Sequence, residues 1–378
     1  MTKKHKHWLL TILTAFALIL SACQNQTDGD NESQESGAQE PGAGAVQTTD
    51  LNENLYRPVM RDGQYQPSQS RGITLRLNSP VNIQSFESGL LDISARHFPT
   101  DTHLFEEGQH IPSDVISSWL GRKSESNPDG LNPEDNGETA SDARNPMYLE
   151  SILEQDYYIE TEEGLRLDGI SIGLALNSVD YYQQESYGAT YETEIPREIL
   201  LEQGQAMAET IVQRIREVED LKDIPIVIGL FEQAPKDDLA GGVMFFEGVS
   251  NGGSTTVDSW SEVNQSKAVL PLEGTESNEG TSFANFKAEV ENFFPNLSSV
   301  TGVVEYQNNT PINMTIDITT QFYGEAEVMA LSQHVKNVAE EYLPSDYPIE
   351  INIQSVDSNE AFLSRDTSQD AFDMHIFF

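Results

Sequence analysis

The sequence has a single cysteine, Cys23, among its 378 residues. No disulfide can form within the chain, so the fold must be held together by burial of apolar side chains whatever the redox compartment. Hydrophobic residues make up 37% of the chain, which is enough for a core at the low end of the usual range. Setting the termini aside leaves roughly 320 residues, the size of one large domain or two ordinary ones.

Basic residues are scarce as well. The chain has 21 Lys and Arg against 62 Asp and Glu, a formal net charge of −41. Nucleic acid is excluded as a partner, because such binding needs cations to displace the counterions of the phosphates. Docking of the folded surface on anionic lipid is disfavoured for the same reason. The charge favours solubility, and it is also compatible with a saline habitat, where salt screens the repulsion.

The sequence also lacks an apolar run long enough to cross a bilayer. The run from Trp8 to Leu20 has 13 residues. As a helix it would extend about 20 Å, against about 30 Å for the hydrocarbon core of a membrane. It follows the basic residues Lys3, Lys4 and Lys6, and this order predicts a signal peptide.

The end of this run carries a processing signal. Leu20, Ser21, Ala22 and Cys23 resemble the bacterial lipobox, in which an aliphatic residue and two small residues precede cysteine. The resemblance implies that lipoprotein-processing enzymes attach diacylglycerol to the Cys23 thiol and cleave between Ala22 and Cys23. Two acyl chains would then hold the chain at the outer face of the cytoplasmic membrane. An uncleaved anchor is the alternative, which the short run disfavours.

The residues that follow Cys23 are unsuited to folding. Residues 24–50 contain no Lys or Arg, and Val46 is their only large aliphatic residue. Such a segment cannot offset the entropy of ordering and is expected to be a disordered tether. The N-terminal part is therefore divided into a signal peptide, residues 1–22, and a lipidated cysteine with its tether, residues 23–50.

The rest of the chain shows an internal duplication. Alternating apolar residues over 169–178 and over 311–320 predict two corresponding half-buried strands. An amphipathic helix follows each strand, and Pro225 and Pro348 then each precede another alternating strand. The apolar positions of the two helices are Ala208, Ile211, Ile215 and Val218 in the first copy and Leu331, Val335, Val338 and Tyr342 in the second.

Further elements complete the two copies. Helices are predicted from Pro112 and from Ser282, and short last strands over 241–246 and 373–378. The first copy has extra polar residues, 180–196, which are assigned to a loop. The predicted fold class is α+β: two tandem repeats of similar fold, each a mixed β-sheet with packed helices. The repeats are predicted to occupy residues 51–247 and 248–378.

Short motifs throughout the chain are similar to those of one known family, the CamS lipoproteins of Firmicutes, described as precursors of the cAM373-type sex pheromone. The resemblance covers nearly the whole chain, and that family too is described as two tandem repeats. The motifs, in chain order, are SQSRGIT (68–74), FESGLLDIS (86–94), FEEGQ (105–109), GLNP (130–133), ILEQDYY (152–158), LFEQAPKD (230–237), FFPN (293–296) and QFYG (321–324).

The resemblance implies that a hydrophobic heptapeptide is cut from the end of the signal peptide. A frame one residue earlier, 15–21, is equally plausible, and every lipoprotein releases a fragment of this kind as a by-product of targeting. The residues that correspond to the pheromone are Phe16, Ala17, Leu18, Ile19, Leu20, Ser21 and Ala22.

The body contains none of the motifs HExxH, GxSxG, SxxK, P-loop or GxGxxG. His97, His103 and His110 lie near two glutamates, but their spacings of six and seven residues fit no compact metal motif. We expect them to be loop and surface histidines. No metal ligand and no cofactor is therefore assigned.

Acidic residues inside the family-like motifs are further candidates: Glu87, Glu106, Glu107, Glu154 and Asp156. Paired carboxylates can cleave glycosides, but neighbouring carboxylates are expected by chance in so acidic a chain. Arg71 and Arg365 could each bind a ligand carboxylate or pair with an acid of the fold. For both residues, pairing with an acid of the fold is favoured. No catalytic residue is assigned.

Two functions remain open. The first is a membrane-anchored lipoprotein whose signal peptide donates a pheromone-like peptide and whose body has a non-enzymatic role. The alternative is an extracytoplasmic lipoprotein that binds a solute or an envelope component. The sequence names neither a protein partner nor a small-molecule partner of the body.

Overall fold

Two β-sheets, one from each half of the chain, form the framework of the body. The computed structural model describes residues 55–74, 76–271, 277–293, 299–321 and 324–377. The predictions for the signal peptide, the lipobox with Cys23, the pheromone-like peptide and the tether lie outside the described residues. The described residues all belong to one compact unit.

The secondary structure, numbered in chain order, alternates between strands and helices. The strands are β1 (Arg57–Pro58), β2 (Met60–Arg61), β3 (Gln64–Tyr65), β4 (Leu104–Glu107), β5 (Leu149–Thr161), β6 (Gly164–Asn177), β7 (Val179–Gln183), β8 (Thr190–Glu194), β9 (Ile226–Gln233), β10 (Val243–Ser250), β11 (Ser259–Glu262), β12 (Gln265–Leu270), β13 (Ser299–Gln307), β14 (Thr310–Thr319), β15 (Ile349–Gln354), β16 (Asn359–Arg365) and β17 (Asp373–Ile376). The helices are α1 (Arg71–Thr74), α2 (Pro80–Ser94), α3 (Ser113–Leu120), α4 (Arg197–Ile215), α5 (Asn278–Phe293) and α6 (Glu325–Tyr342).

Both sheets are built around the same crossover. Strands β6 and β9 pair in parallel and are connected through α4, and β14 and β15 pair in parallel and are connected through α6. Antiparallel strands flank both parallel pairs, in the orders β4-β5-β6-β9-β10-β11 and β12-β13-β14-β15-β16-β17, and the first sheet adds β1 beside β4. The shared order confirms the predicted α+β class with two similar repeats and mixed sheets.

The hydrogen bonds at the crossovers correct the predicted alignment of the repeats. Ile170 N donates to Pro225 O at 3.2 Å, and Met314 N donates to Pro348 O at 3.1 Å. The counterpart of Ile170 is therefore Met314 and not Ile312, which is exposed. A pattern of period two cannot distinguish registers that differ by two residues, so the sequence left this shift undetected.

The ends of the repeats also differ from prediction. The strand predicted over 241–246 is β10, whose counterpart in sheet order is β16. The C-terminal strand β17 instead corresponds to β11, which pairs with β10. The first sheet thus continues to Glu262, and the boundary predicted after residue 247 falls inside β10.

Two local assignments were wrong. Residues 180–196, assigned to a loop, contain the antiparallel hairpin of β7 and β8. Val218 does not belong to the first crossover helix, since α4 ends at Ile215 and Val218 is exposed. The helices predicted from Pro112 and Ser282 are confirmed as α3 and α5, although α5 begins earlier, at Asn278.

The first sheet is covered on both faces. Helices α3 and α4 pack on one face, in the core that contains Ile170 and Ile172. The other face carries α2, a helix that the sequence did not predict, through Phe86 and Leu90. Every residue of β6 from Ile170 to its end is therefore buried, and the strand is not half-buried as predicted.

The second sheet has helices on one face. Helices α5 and α6 pack over its apolar side chains, and β14 shows the predicted alternation of buried and partly exposed residues. Its other face presents polar side chains, among them Glu305, Asp317, Glu350 and Asn352. No helix in the described part of the chain is long and apolar enough to span a membrane.

Candidate functional site

Three of the sequence motifs, SQSRGIT, FEEGQ and ILEQDYY, meet at one edge of the first sheet. Strands β4 and β5 pair so that Glu106 lies opposite Asp156. Side chains alternate along a strand, so Glu154, two residues from Asp156, points to the same face. All three carboxyl groups are fully buried. We call Glu106, Glu154 and Asp156, with their partners, the carboxylate cluster.

The segment after β4 holds two of these carboxyl groups through three consecutive backbone amides. Gln109 N donates to Asp156 Oδ2, His110 N to Glu154 Oε1 and Ile111 N to Glu154 Oε2, each at 2.9 Å. Gly108 makes this approach possible, since a Cβ there would stand 2.4 Å from the Cβ of Glu154. The glycine of the FEEGQ motif is thus needed because any larger residue would collide with Glu154.

Burial favours the protonated forms of Glu154 and Asp156. Burial raises the pKa of both groups, and the charge of Glu154 raises that of Asp156 further. Asp156 Oδ1 receives no N–H or O–H from the described residues. A proton on the pair would remove the repulsion between the two carboxyl groups, so burial and proximity together favour a single negative charge there.

The third carboxylate, Glu106, is neutralised by Arg61. The guanidinium donates from Nε to Oε1 at 2.9 Å and from Nη2 to Oε2 at 2.8 Å, a two-pronged pair of charge-assisted hydrogen bonds. Arg61 also donates to the Tyr158 hydroxyl at 3.3 Å. Arg61 was not among the sequence candidates. The one feature of the sequence that could have drawn attention to Arg61 is that basic residues are scarce in this chain.

Glu107 and Arg71 form an ion pair at the rim of the cluster. Burial alone would raise the pKa of Glu107, but hydrogen bonds from the Ser68 amide, the Tyr65 hydroxyl and Arg71 lower it overall. Glu87 lies nearby on α2, and burial raises its pKa. For Arg71, pairing with an acid of the fold was the favoured expectation, and it is confirmed.

The three histidines do not come together. His110 Nε2 lies 3.3 Å from the Tyr158 hydroxyl and 3.7 Å from Asp156 Oδ2, and burial lowers its pKa. His103 is buried and contacts Asp168 at 3.3 Å, so its expected place on the surface was wrong. Within the described ranges, no group of three His, Cys, Asp or Glu side chains could hold a metal ion.

The second candidate arginine has a different partner from the expected acid. The guanidinium of Arg365 donates to the backbone carbonyls of Leu343 and Pro344 and lies 4.4 Å from the ring of Phe372. Another motif residue has a structural role too. Asn132, in GLNP, is buried, accepts from the amides of Tyr148 and Leu149 and donates to two carbonyls.

These contacts determine what the carboxylate cluster can do. A glycosidase needs one carboxyl as proton donor and a second, free carboxylate as nucleophile or base beside an open sugar site. Here the Glu154 oxygens each accept from a backbone amide and Glu106 is bound on both oxygens by Arg61. The cluster therefore holds β4, β5 and the segment 107–111 together.

A separate cleft of about 360 Å³ lies between α2 and the polar face of the second sheet. Its base is Lys267, whose Nζ donates to Ser85 Oγ at 2.8 Å and pairs with Glu305 at 3.0 Å. The remaining lining includes Gln84, Asp317 and Asn352. The sequence did not reveal this cleft, because its residues come from several distant segments and form no local pattern.

The fold and the carboxylate cluster define a duplicated α+β protein whose motifs stabilise one edge of its first sheet. The family model for the CamS sex pheromone cAM373 precursor matches residues 65–371. The chain belongs to this family. Membership of a pheromone-precursor family implies a secreted or extracellular-facing protein.

Solved structures of two sex pheromone precursors are similar to this chain. The sex pheromone precursor from Lactobacillus salivarius subsp. salivarius is 42% identical, with a TM-score of 0.82, over 88% of this chain and 98% of that one. The C-terminal domain of the staph-cAM373 precursor from Staphylococcus aureus is 29% identical, with a TM-score of 0.67, over 80% and 98% of the two chains. A search of curated proteins gave no match.

Proposed function

We propose that this chain is a lipoprotein anchored through diacylglyceryl-Cys23 at the outer face of a Gram-positive cytoplasmic membrane. Its signal peptide releases a hydrophobic heptapeptide, and its folded body has a non-enzymatic role. The observation that carries the proposal is the lipobox, Leu20 to Cys23, directly after a short apolar run in a member of the CamS family. The scarcity of cations in the body supports a lipid anchor over electrostatic attachment to the membrane.

The contacts of the carboxylate cluster support a non-enzymatic body. Its acids carry the family-like motifs and were the best catalytic candidates in the sequence. Glu106 binds Arg61, Glu154 and Asp156 accept from three backbone amides of the same chain, and Glu107 at the rim binds Arg71. The contacts within the fold therefore account for these motif residues without a substrate.

The anchor is tested by replacing the acylated thiol. In the native host, Cys23→Ser is expected to abolish incorporation of labelled palmitate and to leave the precursor uncleaved. Mass spectrometry of the wild-type protein is expected to show a mature N-terminus at a lipid-bearing Cys23. Ser21→Ala is the matched control, since it keeps a small residue and should be processed normally. Normal cleavage and membrane retention of Cys23→Ser would refute the anchor.

The released peptide is tested separately. Synthetic peptides of residues 16–22 and 15–21 are added to cells that carry a pheromone-responsive plasmid, with a scrambled peptide as control. We expect one frame to induce plasmid transfer. Silence from both frames would remove the signalling role and leave the anchor intact, since the fragment is then a by-product of processing.

A second candidate function, solute binding, is favoured by the cleft at Lys267. Clefts between packed units that contain a few fixed polar groups are common ligand sites. A thermal-shift screen with amino acids, sugars and divalent ions should raise the melting temperature for one class. Asn352→Ala, inside the cleft, should abolish the shift, and Lys336→Met on α6 should not. No shift with any class would argue against the solute-binding function.

A further inference from the structure

The hairpin of β7 and β8 stands apart from both main sheets. Residues 179–183 pair with residues 190–194 in a two-stranded sheet of their own. The base is attached to the body, since Ser178 Oγ donates to the carbonyl of Gln233, at the end of β9, at 2.6 Å. The second repeat has no strand between β14 and α6 among its described residues. The hairpin is thus an addition to the first repeat, and the crossover does not require it.

The composition of the hairpin is unusual. It carries four tyrosines and four acids, and none of its residues is Lys or Arg. A two-stranded hairpin buries little surface, so the tyrosines do not serve a core. Tyr187 at the tip is fully exposed and Tyr191 is 43% exposed. The tyrosines are Tyr181, Tyr182, Tyr187 and Tyr191, and the acids are Asp180, Glu185, Glu192 and Glu194.

Two cations of the chain already lie on rings of this hairpin. The guanidinium of Arg144 is 3.9 Å from the ring centre of Tyr182 and pairs with Asp180. The ammonium of Lys236 is 4.9 Å from the ring centre of Tyr181. Both distances lie within the range of cation–π attraction. At Arg144 a tyrosine ring and a carboxylate of the hairpin bind the same cation together.

The remaining two tyrosines present rings of the same kind, but no cation of the described chain lies on them. Tyr191 is the cross-strand partner of Tyr182, with ring centres 5.7 Å apart, so it shares the face of the hairpin that carries Asp180. Tyr187 follows Glu185 by two residues. Tyrosine gives a rigid contact surface at low entropic cost, which suits it to recognition.

We propose that this hairpin docks a lysine- and arginine-rich segment of another protein through Tyr187 and Tyr191, with Glu185 near the tip and Glu192 on the opposite face of β8 adding negative charge. Charge complementarity favours this partner, since the hairpin has four acids and no base and the whole chain carries a net charge of −41. The docking surface is independent of the released peptide and of the cleft at Lys267.

The test measures binding of a fluorescent (Arg-Gly)5 peptide to the mature protein in neutral detergent by anisotropy, at 150 mM salt. The double variant Tyr187→Ala/Tyr191→Ala should bind roughly fivefold more weakly or worse, because two cation–π contacts are lost. The conservative double variant Tyr187→Phe/Tyr191→Phe keeps both rings and should bind nearly as well as wild type.

A second acidic turn of the chain serves as the control for non-specific attraction of the peptide to an acidic surface. Glu185→Gln/Glu192→Gln should weaken binding, whereas Glu162→Gln/Glu163→Gln, in the turn between β5 and β6 that has no tyrosine, should weaken it far less. Equal losses in the two pairs, or unchanged binding by the alanine variant, would overturn the proposal. Binding of neutral glycans or of phosphatidylglycerol vesicles through the same tyrosines, with no binding of the peptide, would also overturn it.

Discussion

Glu106 and Asp156 lie directly opposite each other on antiparallel strands, and both are fully buried. Two like charges in this arrangement would destabilise the sheet. Arg61 neutralises Glu106, and burial together with the charge of Glu154 raises the pKa of Asp156, which favours its neutral form. The stability of this edge should therefore depend on pH and on Arg61.

The first prediction concerns pH. The pKa of Asp156 is raised in the folded state, so the stabilisation from its proton is present below the unfolded pKa of about 4 and is lost as the pH rises through the folded pKa. Between these two pKa values the folded chain holds one proton more than the unfolded chain. Its free energy of unfolding therefore falls by about 1.4 kcal/mol for each unit by which the pH rises. Asp156→Asn keeps the shape of the side chain, cannot ionise and should remove this slope.

The measurement is urea unfolding between pH 5 and pH 9. The wild-type chain should lose more stability toward pH 9 than Asp156→Asn, whose amide can accept from Gln109 and donate to Glu154. Asp142→Asn, at an exposed acid, is the control and should leave the slope unchanged. Parallel curves for wild type and Asp156→Asn would show that Asp156 is ionised in the folded chain.

The second prediction concerns Arg61. Arg61→Met leaves the Glu106 carboxylate buried without its cation and should cost about 2–4 kcal/mol of unfolding free energy. The double variant Arg61→Met/Glu106→Met should recover most of the loss, because no uncompensated charge remains. Arg166→Met breaks an exposed pair with Asp168 and should cost less than about 1 kcal/mol. Equal costs for the two single variants would contradict the role given to Glu106.

The third prediction concerns the close approach at Gly108. Gly108→Ala places a methyl group against the buried side chain of Glu154 and should cost about 1–3 kcal/mol. Gly72→Ala is the matched control, since a Cβ at Gly72 meets no atom within 4 Å. Chemical denaturation of the two variants gives the comparison. A neutral Gly108→Ala would mean that the segment 107–111 can move away from β5 without loss.

How much of the site could be predicted depends on sequence distance. The motifs marked Glu106, Glu107, Glu154 and Asp156, but no pattern showed that Glu106 and Asp156 are paired across two strands whose connection spans residues 108–148. Arg61 is remote from both in the sequence. The cleft at Lys267 combines α2 with the second sheet, so its lining depends on tertiary packing alone.

The missed helix α2 has a different cause. The alternation of Ile170 and Ile172 predicts a half-buried β6, with the alternate residues, Gly169 and Gly173 among them, on its other face. Gly173 in fact lies under α2, where a Cβ would stand 2.7 Å from the ring of Phe86, and a Cβ at Gly169 would stand 2.2 Å from the ring of Phe98, which follows α2. Small residues on a strand can mark close packing of a helix as well as exposure.

This packing gives the last prediction. Gly173→Ala places a methyl group against Phe86, which is fully buried between the sheet and α2, and should lower the free energy of unfolding by about 1–3 kcal/mol. Phe86→Leu removes the ring edge, at its own cost for the lost volume. In the double variant the two losses should be less than additive, because the smaller side chain makes room for the added methyl group. Urea unfolding of the four proteins in this cycle measures the coupling. Additive losses would show that Gly173 and Phe86 do not compete for space, and that α2 is held to the first sheet by other contacts.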